Sequence, residues 1–214
     1  MEDRMGTQKT CVDCAVCGCA DGSESYPVFC ATRALPDDVR DEVNELYRSG
    51  IAGEVMGAAA VASSRAFSEV LCRVEETLLF ASEKGSQKLG VAVCSGLMRE
   101  GRMFARIARH QGFEVYGIAC KVGAVKRSEF DAVESCCDYG TVSCNPLLQA
   151  RLLNEAETDL NVVIGLCVGH DSLFYRASDA LCTTLVVKDR ALANNPAAAL
   201  AAADSVSPYG RMLK

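Results

Sequence analysis

Thirteen of the 214 residues are cysteines, beside two histidines and no tryptophan, so sulfur is the reactive element this chain holds in excess. Five thiols crowd into one short stretch, where Cys11, Cys14, Cys17, Cys19 and Cys30 read Cys-x2-Cys-x2-Cys-x-Cys with a fifth further on. Thiolates gathered in a Gly-, Ser-, Asp- and Pro-containing segment suit tetrahedral zinc or an iron–sulfur cluster. Each metal–sulfur bond supplies folding energy that a segment without an apolar core lacks. The repeated Cys-x2-Cys has ferredoxin-like spacing without the Cys-x3-Cys-Pro ending and serves zinc equally, so the spacing leaves the metal open. Free, solvent-tolerant thiols are the plain alternative.

A second group depends on the fold. Cys94, Cys120 and Cys167 each close a short apolar run, LGVAVC, FEVYGIAC and LNVVIGLC. If these runs are parallel strands, the three thiols face the crevice that open α/β sheets form at their carboxyl ends. Cys144, in SCNPLLQA, lies where a loop meets a helix beginning near Pro146, and adds a fourth thiol above that crevice. Packing is the competing reading, because free cysteine is among the most buried residue types; the coincidence of three strand ends favours a site. The adjacent Cys136 and Cys137 cannot easily share one metal and are read as extra ligands or a redox relay. Cys72, within a helical stretch, and Cys182, at a strand start, are read as core.

Around Cys167 the sequence is GLCVGHDSLF. Gly165 and Gly169 allow close backbone approach, and amides at the start of the next helix suit an anion or a cluster sulfide, which makes Gly169 and Asp171 cofactor-binding candidates. His170 is the candidate proton donor, ligand or base for a thiolate. Asp171 or Ser172 is expected to cap the helix, and His110 to offset a helix dipole.

The elements that must position these groups follow from periodicity. Residues 10–34 show no sustained period and read as a loop module. Val39, Val43, Leu46 and Tyr47 recur at helical spacing after Asp37 and Asp38, giving a short amphipathic helix. From Glu54 to about Glu83 a long helix, or two abutting ones interrupted at Gly57, is expected. Beyond KGSQK, apolar runs ending at Cys94, Cys120 and Cys167, and a fourth over Cys182–Asp189, alternate with helical stretches over Met98–His110, from Pro146, over Ser172–Ser178 and over Ala197–Ala203. Such alternation predicts an α/β fold: an open, mostly parallel, doubly wound sheet of Rossmann-like or flavodoxin-like type, preceded by helices and the Cys-rich loop module. The expected division is 1–34 as a metal-binding module, 35–84 as a helical segment packed on the core, and 85–214 as the α/β domain.

Half the residues are apolar and 23% are charged, which fits a globular chain; no apolar run approaches the roughly 18 residues of a membrane span. The start, MEDRMGTQKT, is polar and carries no signal-like segment, so a reducing cytoplasm is expected, where clustered cysteines more often mean metal or redox chemistry than disulfides. A net charge of −6 argues against nucleic acid as the main partner. Dinucleotide, P-loop, zinc-protease and esterase motifs are absent. Cys94-Ser-Gly-Leu-Met-Arg99 is one residue short of a phosphatase loop.

Gly90–Leu97, Ala119–Gly123, Cys144–Pro146, Asp159–Leu173 and Thr183–Arg190, above all Leu-Cys-Val-Gly-His-Asp-Ser, resemble the domain-of-unknown-function family eighteen forty-seven, whose members are commonly described as metal-binding. The resemblance implies two ligand sets, Cys11, Cys14, Cys19 and Cys30, and Cys94, Cys120, Cys144 and Cys167. Cys17, Cys72, Cys136, Cys137 and Cys182 are then additions of this sequence, and Cys30-Ala-Thr stands where Cys-Pro-Thr is expected. The resulting expectation is a cytoplasmic metal-binding protein holding a [4Fe–4S] cluster or zinc, with metal ions and a small anionic substrate or redox partner as ligands, and neither nucleic acid nor membrane. The alternatives are a metal-free enzyme with Cys94 or Cys167 as nucleophile beside His170, a thiol redox enzyme, and a metal- or redox-responsive binding protein.

Overall fold

The computed structural model describes residues 9–130, 140–203 and 207–213; Cys136 and Cys137 lie outside them. Two compact units divide the chain, residues 1–57 and 58–214.

The first unit has only short turns before its helices. A 3-10 turn at Cys11–Asp13 is followed by α1 (Gly18–Asp21) and α2 (Ala31–Ala34), then by α3 (Asp37–Leu46), the amphipathic helix expected from its spacing. Asp37 and Asp38 occupy the first turn of α3, against the positive end of the helix dipole.

Helix α4 (Gly50–Glu69) carries the chain into the second unit, where α5 (Arg73–Glu83) follows. The two abut, as one of the expected arrangements had it, but the break is not at Gly57, which lies inside α4. It falls at Val70, whose φ of 56° no helix can continue. Cys72 is therefore not a buried mid-helix residue. It is exposed at the amino-terminal cap of α5, and its backbone N–H donates to Glu75 Oε2 at 2.8 Å.

Four strands follow, β1 (Lys88–Val93), β2 (Glu114–Ala119), β3 (Leu160–Ile164) and β4 (Leu181–Val186), in the order β2-β1-β3-β4, every pair parallel. The connecting helices are α6 (Met98–His110), α7 (Pro146–Glu155) and α8 (His170–Ala177), with α9 (Ala197–Ala201) near the end. The chain steps from β1 to β2 in one direction and from β2 across to β3 and β4 in the other. Right-handed crossovers then put α6 on one face and α7 and α8 on the other. This is a doubly wound, Rossmann-like sheet whose topological switch point lies between β1 and β3.

Burial explains the runs. Leu89, Val91, Ala92 and Val93 of β1 and all of β3 are covered on both faces, and with Phe104, Ala108, Ala150, Leu153 and Phe174 from the helices they form one core. Asn161 of β3 is the polar exception: it donates to Ser178 Oγ and accepts from Thr158 Oγ1, both at 2.8 Å. The outer strand β4 is held on the α5 side by Arg73, whose guanidinium donates to Thr184 O and Thr183 Oγ1, each at 3.2 Å. His110 closes α6 beside Arg109, where positive charge suits the carboxyl end. Cys182 is half-buried against the core, in keeping with the reading from its position.

Candidate functional site

At the carboxyl edge of the sheet two of the predicted thiols, Cys120 and Cys144, come into contact, with Cys94 and Cys167 as neighbours. Cys94 directly follows β1 and extends its ladder, its N–H donating to Ile164 O at 3.0 Å; Cys120 does the same after β2, donating to Val93 O at 2.8 Å. Cys144 precedes α7, and the next residue, Asn145, donates its N–H to Cys120 O at 2.7 Å while its side chain caps the helix at Leu148 N, 3.0 Å away. These backbone bonds bring the sulfurs of Cys120 and Cys144 to 3.6 Å.

Cys167 departs from the expectation that it ends a strand, since β3 stops at Ile164. Gly165, at φ 65°, turns the backbone out of the sheet, its N–H donating to Val186 O at 2.8 Å. A Cβ at this glycine would collide with Leu97 Cδ1, so the close approach expected here is real, and Cys167 reaches the site from a loop. Gly169, at φ 85°, instead faces open space and is itself the cap residue of α8. Asp171 and Ser172 therefore lie within the first turn of α8 and do not cap it; among the described residues the Asp171 carboxylate accepts from Ser172 N–H, at 2.8 Å. The His170 backbone N–H donates to Cys167 O at 2.9 Å, and its imidazole has no hydrogen bond or ion pair among the described residues.

Three of the four thiols, Cys94, Cys120 and Cys167, have an N–H donor aimed at them. Backbone N–H groups of Ser95 and Gly96 point to the sulfurs of Cys120 (3.2 Å) and Cys94 (3.4 Å). Two cations follow β4: Lys188 Nζ lies 3.5 Å from Cys94 Sγ, and Arg190 Nη2 lies 3.1 Å from Cys167 Sγ. The Cys94 thiol is pushed far up, first by its hydrogen bond with Cys120 and then by burial, against the Gly96 amide and Lys188. Cys144 is held down to about 7 by its hydrogen bond with Cys120, which outweighs burial and the neighbouring Cys167 and Cys94, with Lys121 helping.

The amino-terminal thiols are arranged differently. Cys11, Cys17 and Cys19 are exposed, Cys14 is half-exposed and Cys30 is buried. The Cys30 thiol is lowered, chiefly by the Arg33 backbone N–H at the start of α2. Among the described residues, no group of three or more His, Cys, Asp or Glu side chains is spaced to hold a metal ion, and no helix is long and apolar enough to cross a membrane.

Lys188, Arg190 and Gln149 were not singled out from the sequence. For the two cations a signal existed: they directly follow an apolar run of the same type as those ending in cysteine, so the same strand-end rule leads to them.

Among curated proteins, an uncharacterised protein of Methanocaldococcus jannaschii is 42% identical over 129 residues, which is 60% of this chain and 66% of that protein, just under two thirds of its length. No solved structure gives a significant match. The family model described as protein of unknown function, DUF1847, matches residues 30–185, from Cys30 through the four crevice cysteines but not Cys11, Cys14 or Cys19. With nearly three quarters of its length inside that match, the chain belongs to the DUF1847 family.

Proposed function

We propose that Cys94, Cys120, Cys144 and Cys167 hold a single thiophilic metal ion, zinc, at the switch point of the sheet. The observation that carries this reading is the 3.6 Å separation of the Cys120 and Cys144 sulfurs. Two ligands of one tetrahedral ion with metal–sulfur bonds of about 2.3 Å stand about 3.8 Å apart. Thiolates of a four-iron cluster each sit on a different iron and lie much farther apart, so the spacing favours one ion over the cluster expected from the cysteine pattern. Charge supports it too. Four thiolates on a divalent ion leave two negative charges, and Lys188 and Arg190 bring two positive ones to the sulfurs they touch. Lys121, which also lowers Cys144, adds positive charge on the same side, and cations at the sulfurs offset the burial of a negative centre.

The chain's own groups orient the ligands. The Ser95 and Gly96 amides fix the sulfur positions of Cys120 and Cys94, and Arg190 steers Cys167, the thiol that arrives from a loop. A bound zinc would supply cross-linking of the strand ends and, if one thiolate gives way to substrate, Lewis acidity.

The test is zinc, iron and acid-labile sulfide per chain, on full-length protein purified without oxygen, compared with the Cys120→Ser/Cys144→Ser variant. Loss of about one zinc per chain in the variant is expected. Equal zinc in both proteins, or iron with matching sulfide in the wild type, overturns the assignment.

The same contact favours a second reading. Two thiols 3.6 Å apart are placed to close a disulfide, giving two electrons and two protons to a substrate disulfide that leaves as two thiols. Release of substrate thiol by metal-free protein, lost in Cys144→Ser, would support it; no release would remove it.

A further inference from the structure

Gln149 is fully buried on α7, one turn after its amino terminus. Its Nε2 donates to Ile118 O at 2.8 Å and to Val93 O at 3.4 Å. These carbonyls belong to the residue before Cys94 and the residue two before Cys120. The Oε1 atom is buried without a partner among the described residues. Turning the carboxamide over would set its oxygen against two carbonyls, so the donor end must face the strands. An orphaned buried acceptor is costly, and an apolar side chain of the same size would avoid it. Packing therefore does not account for an amide here, whereas a fork that grips two strand ends does.

We propose that Gln149 is the positioning residue of the thiol crevice. One amide nitrogen ties the last turns of β1 and β2 to α7, and these are the segments that carry Cys94, Cys120 and Cys144. Val93 O already accepts the Cys120 N–H at 2.8 Å, so the bond from Gln149 falls on the carbonyl that sets the relative height of the two strand ends. The proposal rests on the reading that these thiols act together, but not on which metal they hold.

For that reason the test uses metal-stripped, reduced full-length protein. Dibromobimane, which bridges two nearby thiols, is reacted with wild type and Gln149→Met, and peptide mapping follows the Cys120–Cys144 cross-link against single alkylation of the half-buried Cys182. A displacement of the strand ends by a fraction of an ångström to an ångström should slow cross-linking about tenfold while Cys182 alkylation is unchanged. A well-folded Gln149→Met protein that cross-links at the wild-type rate overturns the proposal, whatever the zinc content proves to be. Should the variant fail to fold, the wild type decides by NMR. Slow exchange of the Gln149 side-chain NH2 protons, with couplings across to the Val93 and Ile118 carbonyls, is expected; fast exchange without couplings refutes the grip.

Discussion

Replacing Gly165 with alanine tests whether the turn that delivers Cys167 is built as described. Two penalties add. A φ of 65° costs a residue bearing a Cβ about 1–2 kcal/mol. The collision of that Cβ with Leu97 Cδ1 forces repacking of a buried leucine, about 1–3 kcal/mol. Together they predict a loss of about 2–5 kcal/mol, and at roughly 2–4 °C per kcal/mol for a unit of this size a mid-range loss of about 3 kcal/mol lowers the melting temperature by about 6–12 °C. Leu97→Ala alone empties part of the core and costs about 2–5 kcal/mol. In the double variant the new methyl occupies space the leucine vacated, so only the backbone penalty adds to the cavity. Urea denaturation of the four proteins of this cycle should show a double variant better than additive by about 1–3 kcal/mol, and additivity within about 0.5 kcal/mol would refute the steric argument.

Two further outcomes follow from polar groups away from the crevice. The Asp159 carboxylate accepts from the Gln87 and Lys88 backbone N–H groups, both at 2.7 Å; burial pushes its pKa up, but these bonds with Lys84 and Lys88 more than offset it, and the net shift is downward. A depressed folded-state pKa means the unfolded chain binds the proton more readily, so the stabilisation is present above about pH 4 and is lost as pH falls through the folded value. The melting-temperature gap between wild type and Asp159→Asn should therefore be widest at neutral pH and shrink towards pH 3; a constant gap counts against it. Asn161→Ala would remove the bonds to Thr158 Oγ1 and Ser178 Oγ, leave Thr158 its longer 3.3 Å bond to Leu153 O, and open a cavity under β3, at a cost of about 2–5 kcal/mol; a urea midpoint unchanged from wild type would show the network to be dispensable.

Strands and thiols were legible in the sequence for one physical reason. A strand covered on both faces is almost wholly apolar, Asn161 excepted, so a reactive residue stands out where the chain leaves the sheet, as Cys94 does after β1; Cys120 stood out the same way although β2 is half-exposed. Cys144 was legible because Pro146 marks the helix start that its segment approaches. What was hidden depends on neighbours distant in sequence. The helix break at Val70 is a positive φ at a residue type that disfavours it, which no local propensity reveals. Gln149 reads locally as an ordinary polar helix residue, and only the packing of α7 across β1 and β2 buries it. The capping of α8 was misassigned because Gly169 ends the preceding turn through its positive φ, a role that polar Asp171 and Ser172 next to it mask. Lys188 and Arg190 acquire meaning only once β4 lies beside β3.

Arg73 has a role at the rim of the sheet. Strand β4 has a neighbour on one side alone, and a strand with an open flank offers carbonyls to any extended chain, including a second copy of itself. By taking Thr184 O, with the Thr183 hydroxyl holding its other arm, the guanidinium occupies a backbone acceptor an incoming strand would use, and puts a fixed positive charge where that strand would lie. The β4 edge of the sheet is thus guarded against growth by a side chain from the helix before it, beside a bulge in the β3–β4 pairing, and the β-branched strand is a poorer template for aggregation there.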